Sequence, residues 1–249
     1  AVEDLEPVGP ERWADGSRRV VNTGVGVFDV AGHRRFLERL AEVADFTVPT
    51  VLGADGPWLV TDGPNGTPAN RPDRHPEPGD LAASIGAGLA ALHALPVDLL
   101  DGRAHTDLVD PWAPVIERCR RSVGAGLVDP ARLPAPYDRY EPERLLAMLV
   151  DGSPGQTGRP ADRPVLCHGR AVAGRFLIDG GRFVGFDGLE TALVADRHLD
   201  LAAAHLSVVE VLGAEAVYGL YEGYGADPDL AHLDRAVLAV HLLPGPGGR

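Results

Sequence analysis

One stretch of the chain, Val165 to Asp187, breaks with its surroundings and limits what the whole can fold into. On both sides of it apolar residues recur at helical spacing. Inside it, Val165-Leu166-Cys167, Arg175-Phe176-Leu177-Ile178 and Arg182-Phe183-Val184-Gly185-Phe186 read as strands, and Asp179-Gly180-Gly181 turns the last two into a hairpin. A loop, His168-Gly169-Arg170-Ala171-Val172-Ala173-Gly174, joins the first strand to that hairpin. Strands embedded in a helical segment, rather than alternating with helices, imply an α+β architecture.

The rest of the chain supports two lobes. Residues 17–30 read as a β-hairpin with Asn22-Thr23-Gly24 near its turn, and residues 32–44 as a helix with Phe36, Leu37, Leu40 and Val43 on one stripe. Residues 50–53 and 57–61 read as two strands around an Ala54-Asp55-Gly56 turn, and Gly63 to Pro68 as a hinge. Beyond it, Asp80 is expected to cap a helix reaching Leu95, with Leu81, Ile85, Leu89 and Leu92 inward. Asp110-Pro111 is expected to open a helix to about Val123. Further helices are expected at 141–150, 196–212, 214–224 and 229–243. The implied layout is a β-rich lobe over 1–62, a hinge at 63–68, a helical lobe over 69–243 and a disordered tail at 244–249.

Composition excludes several functions. The net charge of −13 argues against nucleic acid or an anionic membrane as partner. No apolar run is long enough to span a bilayer, the acidic first residues are unlike a leader peptide, and a cytoplasmic location is the expectation. Cys119 and Cys167 lack zinc-type spacing, so no metal and no cofactor are expected. All 23 basic residues are arginine. The absence of lysine rules out a Walker-type phosphate loop and Schiff-base chemistry.

Several segments, taken in order, resemble the aminoglycoside phosphotransferase family, most closely its kanamycin/neomycin branch. They are Val48 to Leu52, Trp58 to Thr61, Gly66 to Ala69, Leu89 to Asp98, Gly126 to Pro130, Val165 to Asp187 and Val194 to Ala202. The resemblance implies a bilobal, protein-kinase-like fold. In that family the loop reads His-Gly-Asp-x-x-x-x-Asn; its Asp orients or deprotonates the attacking hydroxyl and its Asn binds magnesium on the nucleotide. Here Arg170 and Arg175 stand at those positions. A guanidinium stays protonated and carries only donors, so it is neither a base nor a metal ligand. The family's second metal-binding Asp aligns with Gly188, and Asp187 falls one residue early, on the opposite face unless a bulge restores it. The third-strand lysine is missing, and the family's acidic drug clamp at the C-terminus is replaced by Val240-His241-Leu242-Leu243.

The candidate catalytic residues are therefore Arg170, His168 and Asp187, with Arg175, Glu190, Asp196 and His198 as candidate ligand-binding residues. Each has a structural reading beside it. The two arginines either form an anion site or pair with Asp187, Glu190 or Asp196 and fill the emptied metal position. His168 either braces the loop or serves as an acid/base, Asp200 resembles the family's loop-bracing Asp, and His93 reads as packing. His198 and His205 share a helix face without a third ligand. The resulting expectation is a family member that has lost ATP-dependent phosphotransfer. It acts on a small natural product by ATP-independent chemistry such as cyclisation, elimination or isomerisation. A non-catalytic pseudokinase that binds an antibiotic is the alternative, and a residual phosphotransferase the second.

Overall fold

The computed structural model describes residues 29–56, 58–63, 65–71, 77–100, 110–152 and 163–243 in full, and the backbone of 6–9, 12–14 and 18–22. The chain forms an α+β fold with an antiparallel sheet at its start and helices over most of the remainder, as its patterning implies.

The first sheet has five strands: β1 (Glu6–Gly9), β2 (Arg12–Ala14), β3 (Arg18–Asn22), β4 (Val51–Asp55) and β5 (Trp58–Asp62). Their order is β1-β2-β3-β5-β4, with every neighbour antiparallel. The expected hairpin over 17–30 is not formed as read. β3 pairs with β2 and β5, and Asp29-Val30 belong to the start of helix α1 (Val30–Val43), where the Asp29 carboxylate accepts the Gly32 amide at 2.6 Å. Residues 23–28, the middle of that hairpin, lie outside the described residues. Helix α1 buries His33, Phe36, Leu37 and Leu40. Val43, at the last position of the helix, is exposed, contrary to expectation.

Two residues of the expected hinge, Thr67–Pro68, form β6, which pairs with β8 (Phe176–Asp179); β8 pairs in turn with β9 (Arg182–Phe186). Phe46 stacks edge-on against Phe183 and Phe186, tying the segment after α1 to this hairpin. A separate two-stranded ladder joins β7 (Val165–Cys167) to β10 (Leu193–Ala195).

Helix α2 (Pro78–His93) begins two residues before Asp80. Proline at its first position presets the backbone, and Glu77 stands at the cap without a side-chain bond. Helix α3 (Ala113–Gly124), by contrast, starts later than its Asp-Pro signal, and the Asp110 carboxylate accepts the Trp112 amide instead. Helices α4 (Pro142–Asp151), α5 (His198–Leu212), α6 (Val217–Tyr224) and α7 (Leu230–Leu242) complete the order, within two or three residues of their expected bounds.

Helices α2 and α6 cross with their backbones almost touching. A Cβ at Gly86 would run into the Leu220 carbonyl, and one at Gly223 into the Ala83 carbonyl. Leu81, Ile85, Leu89 and Leu92 are fully buried, as their spacing predicts. They belong to one core with Leu145, Leu149, Phe176, Phe186, Leu199 and Leu220.

Candidate functional site

The 168–175 loop leaves β7 and is held from several directions. Asp200, in the first turn of α5 and fully buried, accepts the His168 amide at 2.6 Å and the Gly169 amide at 2.9 Å. Gly169 has φ +77°, and a side chain there would run into the Thr191 carbonyl and the Arg118 guanidinium. The Thr191 hydroxyl lies 2.9 Å from the His168 carbonyl, and Arg118 donates to the Thr191 carbonyl at 3.0 Å. Farther along, the Ala173 amide donates to the Ser207 hydroxyl at 2.9 Å. With its backbone fixed this way, the loop presents the side chains at 170 and 175 from a rigid frame.

His168 is fully buried, and its Nε2 donates to the Asp187 carbonyl at 2.9 Å. Its Nδ1 is buried without a partner. Burial pushes the imidazole below its ordinary range, and the nearby Arg175 charge adds to this, against the opposing pull of Asp200. The ring is thus neutral and enclosed, a geometry suited to holding the loop against the end of β9.

Arg175 ends a short 3-10 turn and reaches back over that same strand end. Its guanidinium lies 3.4 Å from the Asp187 carboxylate, both side chains being mostly buried. Gly188 has φ +86°, and a Cβ built on it would stand 2.7 Å from Arg175 Nη1 and 3.0 Å from its Cζ. The guanidinium therefore occupies the space that a side chain at 188 would need. Asp187 lies on the side occupied by Arg175, as the bulge alternative allows. The β8–β9 ladder carries a register shift between Leu177 and Ile178, a bulge of the kind that re-aims side chains downstream.

The family's magnesium–nucleotide group does not fit these residues. A magnesium ion needs oxygen donors in near-octahedral geometry. The position of one ligand holds a guanidinium, the position of the other has no side chain, and the neighbouring carboxylate is turned to the arginine.

The remaining candidates separate. Arg170 is half-buried on the loop, and its carbonyl accepts the Val172 amide at 2.9 Å. Glu190 is half-buried in the turn after Gly188, close enough for its charge to act on His168. Asp196 is not a partner for the loop arginines. It is fully buried and engaged by the His198 amide at 2.9 Å, His198 Nδ1 at 2.7 Å and His232 Nδ1 at 3.0 Å. Burial pushes its carboxyl up, but the His198 hydrogen bonds prevail, aided by the facing imidazoles, and hold it below the usual carboxylate range. His198 Nε2 accepts the Asp229 amide at 3.0 Å, which places the ring proton on Nδ1, facing Asp196. His198 is thus a clamp between the starts of α5 and α7. His205 pairs instead with the Tyr221 hydroxyl at 2.7 Å.

Sequence reasoning missed several residues at the back of the loop. His93, read as packing, lies 3.2 Å from Asp200 through Nε2 and 2.9 Å from the Tyr224 hydroxyl through Nδ1. A polar ring ending an otherwise apolar helical stripe was the available signal. Arg118, Thr191 and His232 gave none, since their partners are distant in sequence.

Comparisons with known proteins bear on the family and the fold. Residues 29–235 match the phosphotransferase enzyme family. The chain is 35% identical over 109 residues to an aminoglycoside 3'-phosphotransferase of Niallia circulans, a match spanning 43% of this chain and 39% of that relative. Among solved structures, it superposes on a type VIII aminoglycoside-3'-phosphotransferase with a TM-score of 0.73 at 27% identity, over 98% of this chain and 93% of that one. It has the same fold as the phosphotransferase APH(3'')-Id of Streptomyces rimosus in complex with ADP and streptomycin, with a TM-score of 0.73 at 24% identity, over 98% and 94% of the two chains. With the match running through most of its length and the fold superposing nearly end to end, the chain belongs to the phosphotransferase enzyme family.

Proposed function

We propose that this family member has lost ATP-dependent phosphotransfer and that its loop and the surrounding cleft act on a small secondary metabolite without nucleotide. The observation that carries this reading is the Arg175 guanidinium, lodged against Gly188 and paired with Asp187. Phosphoryl transfer depends on positioning and charge neutralisation by metal and lysine, and this chain has no lysine. An oxygen-rich metal site has been replaced by a cationic one, which suits a carboxylate, phosphate or enolate oxygen on the ligand.

The ligands of the Streptomyces rimosus phosphotransferase, streptomycin and ADP, bear on this proposal in opposite ways. The family likeness favours an antibiotic-like small molecule, whereas the apolar 240–243 end disfavours a polycationic one. ATP-independent chemistry such as cyclisation, elimination or isomerisation fits a site with a fixed cation. The placement of Asp187 on the Arg175 side favours a second reading, a residual phosphotransferase in which Asp187 takes over the carboxylate role.

A thermal-shift series with ATP, GTP, magnesium and candidate metabolites, followed by turnover assays with and without nucleotide, tests both readings. The proposal expects no stabilisation by millimolar MgATP and turnover or binding of a metabolite without it. A shift of several degrees that EDTA abolishes, with phosphate transfer to an aminoglycoside, overturns it in favour of the second reading.

A further inference from the structure

Two groups of metal-type donors come together among the described residues: Asp196, His198 and His232, and His93, Cys167 and Asp200. The first is closed to a metal. His198 Nε2 accepts an amide, so Nδ1, the nitrogen beside Asp196, carries the proton and has no lone pair to give. A metal there would force the proton onto Nε2, against the Asp229 N–H.

The second group is free of that obstacle. We propose that His93, Cys167 and Asp200 form a buried site for a zinc-class divalent ion behind the 168–170 loop. The three donors come from the end of α2, the end of β7 and the first turn of α5, and their ligating atoms all lie within 4.8 Å of one another. His93 Nε2 and Asp200 Oδ2 are 3.2 Å apart, close to the roughly 3.3 Å edge of a tetrahedral ion with bonds of about 2.0 Å. A sulfur, a nitrogen and an oxygen donor suit zinc or cobalt and not magnesium.

The hydrogen bonding allows the exchange. Nδ1 of His93 faces the Tyr224 hydroxyl, which can either donate or accept. On metal binding the imidazole proton moves to Nδ1 and is donated to Tyr224, leaving Nε2 for the ion. This is the supporting contact that metal-binding histidines ordinarily have. The Cys167 thiol loses one proton to solvent as its sulfur–metal bond forms. One divalent ion, one thiolate and one carboxylate then sum to zero charge, which lowers the cost of burial. Without the ion, burial keeps the thiol protonated, with Asp200 and Asp196 adding to the effect. Asp200 Oδ2 also accepts the His168 amide, so the ion would share its carboxylate with the loop. The site is independent of the functional reading above, since it needs neither nucleotide nor turnover.

The test is equilibration of the chelator-stripped full chain with cobalt(II) or zinc. The expected result is one ion per chain and, with cobalt, a thiolate charge-transfer band. Cys119→Ser should keep the band. Cys167→Ser should remove it and weaken binding by more than about 100-fold, and Tyr224→Phe should weaken binding by about 10–100-fold with the band intact. No stoichiometric binding, a band that survives Cys167→Ser, or one that Cys119→Ser abolishes overturns the proposal. If Cys167→Ser does not fold, Tyr224→Phe decides, and unchanged affinity there is equally fatal.

Discussion

The Arg175 guanidinium lies 3.4 Å from the Asp187 carboxylate and fills the space above Gly188, so the loop and the strand end after it pack as one unit. Arg175→Ala leaves Asp187 without this partner but near solvent, and should cost about 1 kcal/mol. Gly188→Ala should cost about 2 kcal/mol, because its left-handed backbone penalises a side chain and the arginine crowds it. Made together, the two should cost less than their sum by about 0.5–1 kcal/mol, since removing the arginine relieves the crowding. Urea unfolding of the four proteins measures the coupling, and strict additivity would refute the shared space.

Asp200 should matter more than any other polar residue of the loop. Asp200→Asn turns an acceptor toward the His168 and Gly169 amides into a partial donor, and should cost about 3 kcal/mol. His93→Phe removes the contacts to Asp200 and Tyr224 but keeps both amide bonds, and should cost about 1–2 kcal/mol. A lower denaturation midpoint with an unchanged slope is the expected signature.

Stability should fall on mild acidification, and part of that fall belongs to His168. Its folded pKa is lowered from 6.5 by burial, so the folded form resists a proton that the unfolded chain accepts. The unfolded state then binds more protons below about pH 6.5, and stability declines from there toward the lowered folded value. His205 and His241, also lowered by burial, act in the same direction. Chemical denaturation between pH 8 and 5 should show His168→Gln reducing the slope by up to about 1.4 kcal/mol per pH unit, with no change in slope above pH 7.

The crossing of α2 and α6 gives the sharpest packing contrast. Gly86→Ala and Gly223→Ala each drive a carbon into a backbone carbonyl and should cost about 3 kcal/mol or more. Gly124→Ala, at the end of α3 with nothing within 4 Å, should be neutral or stabilising by up to about 1 kcal/mol. Thermal unfolding of the three variants decides this, and similar melting points for all would contradict the close crossing.

Most of the architecture was legible because local signals and burial coincide. The Asp179-Gly180-Gly181 turn and the α2 stripe of Leu81, Ile85, Leu89 and Leu92 are each encoded within a few residues. Errors arose where a distant partner overrode the local pattern. β3 takes β2 and β5 as neighbours and not the segment after it, and α2 starts from its proline and not from Asp80. In the candidate site, a pairing of Arg175 with Asp187 was anticipated by residue type, and Asp200 by its position. The direction of Asp187 was left open between two faces, because it depends on a register shift inside the hairpin. His93 and Tyr224 meet across 131 positions, so no window of sequence holds both.

Where α2 meets α6, no carbon can be inserted between the two backbones, whereas Arg170 and Arg175 stand on a loop whose contacts to α5 are made mainly by its backbone. Mutational tolerance is therefore unevenly distributed. Replacements at 170 and 175 leave the supporting amide bonds in place, while a single methyl group at 86 or 223 does not fit. The frame behind this loop thus tolerates a change in the chemistry the loop displays, whereas the glycines of the helix crossing admit no side chain at all.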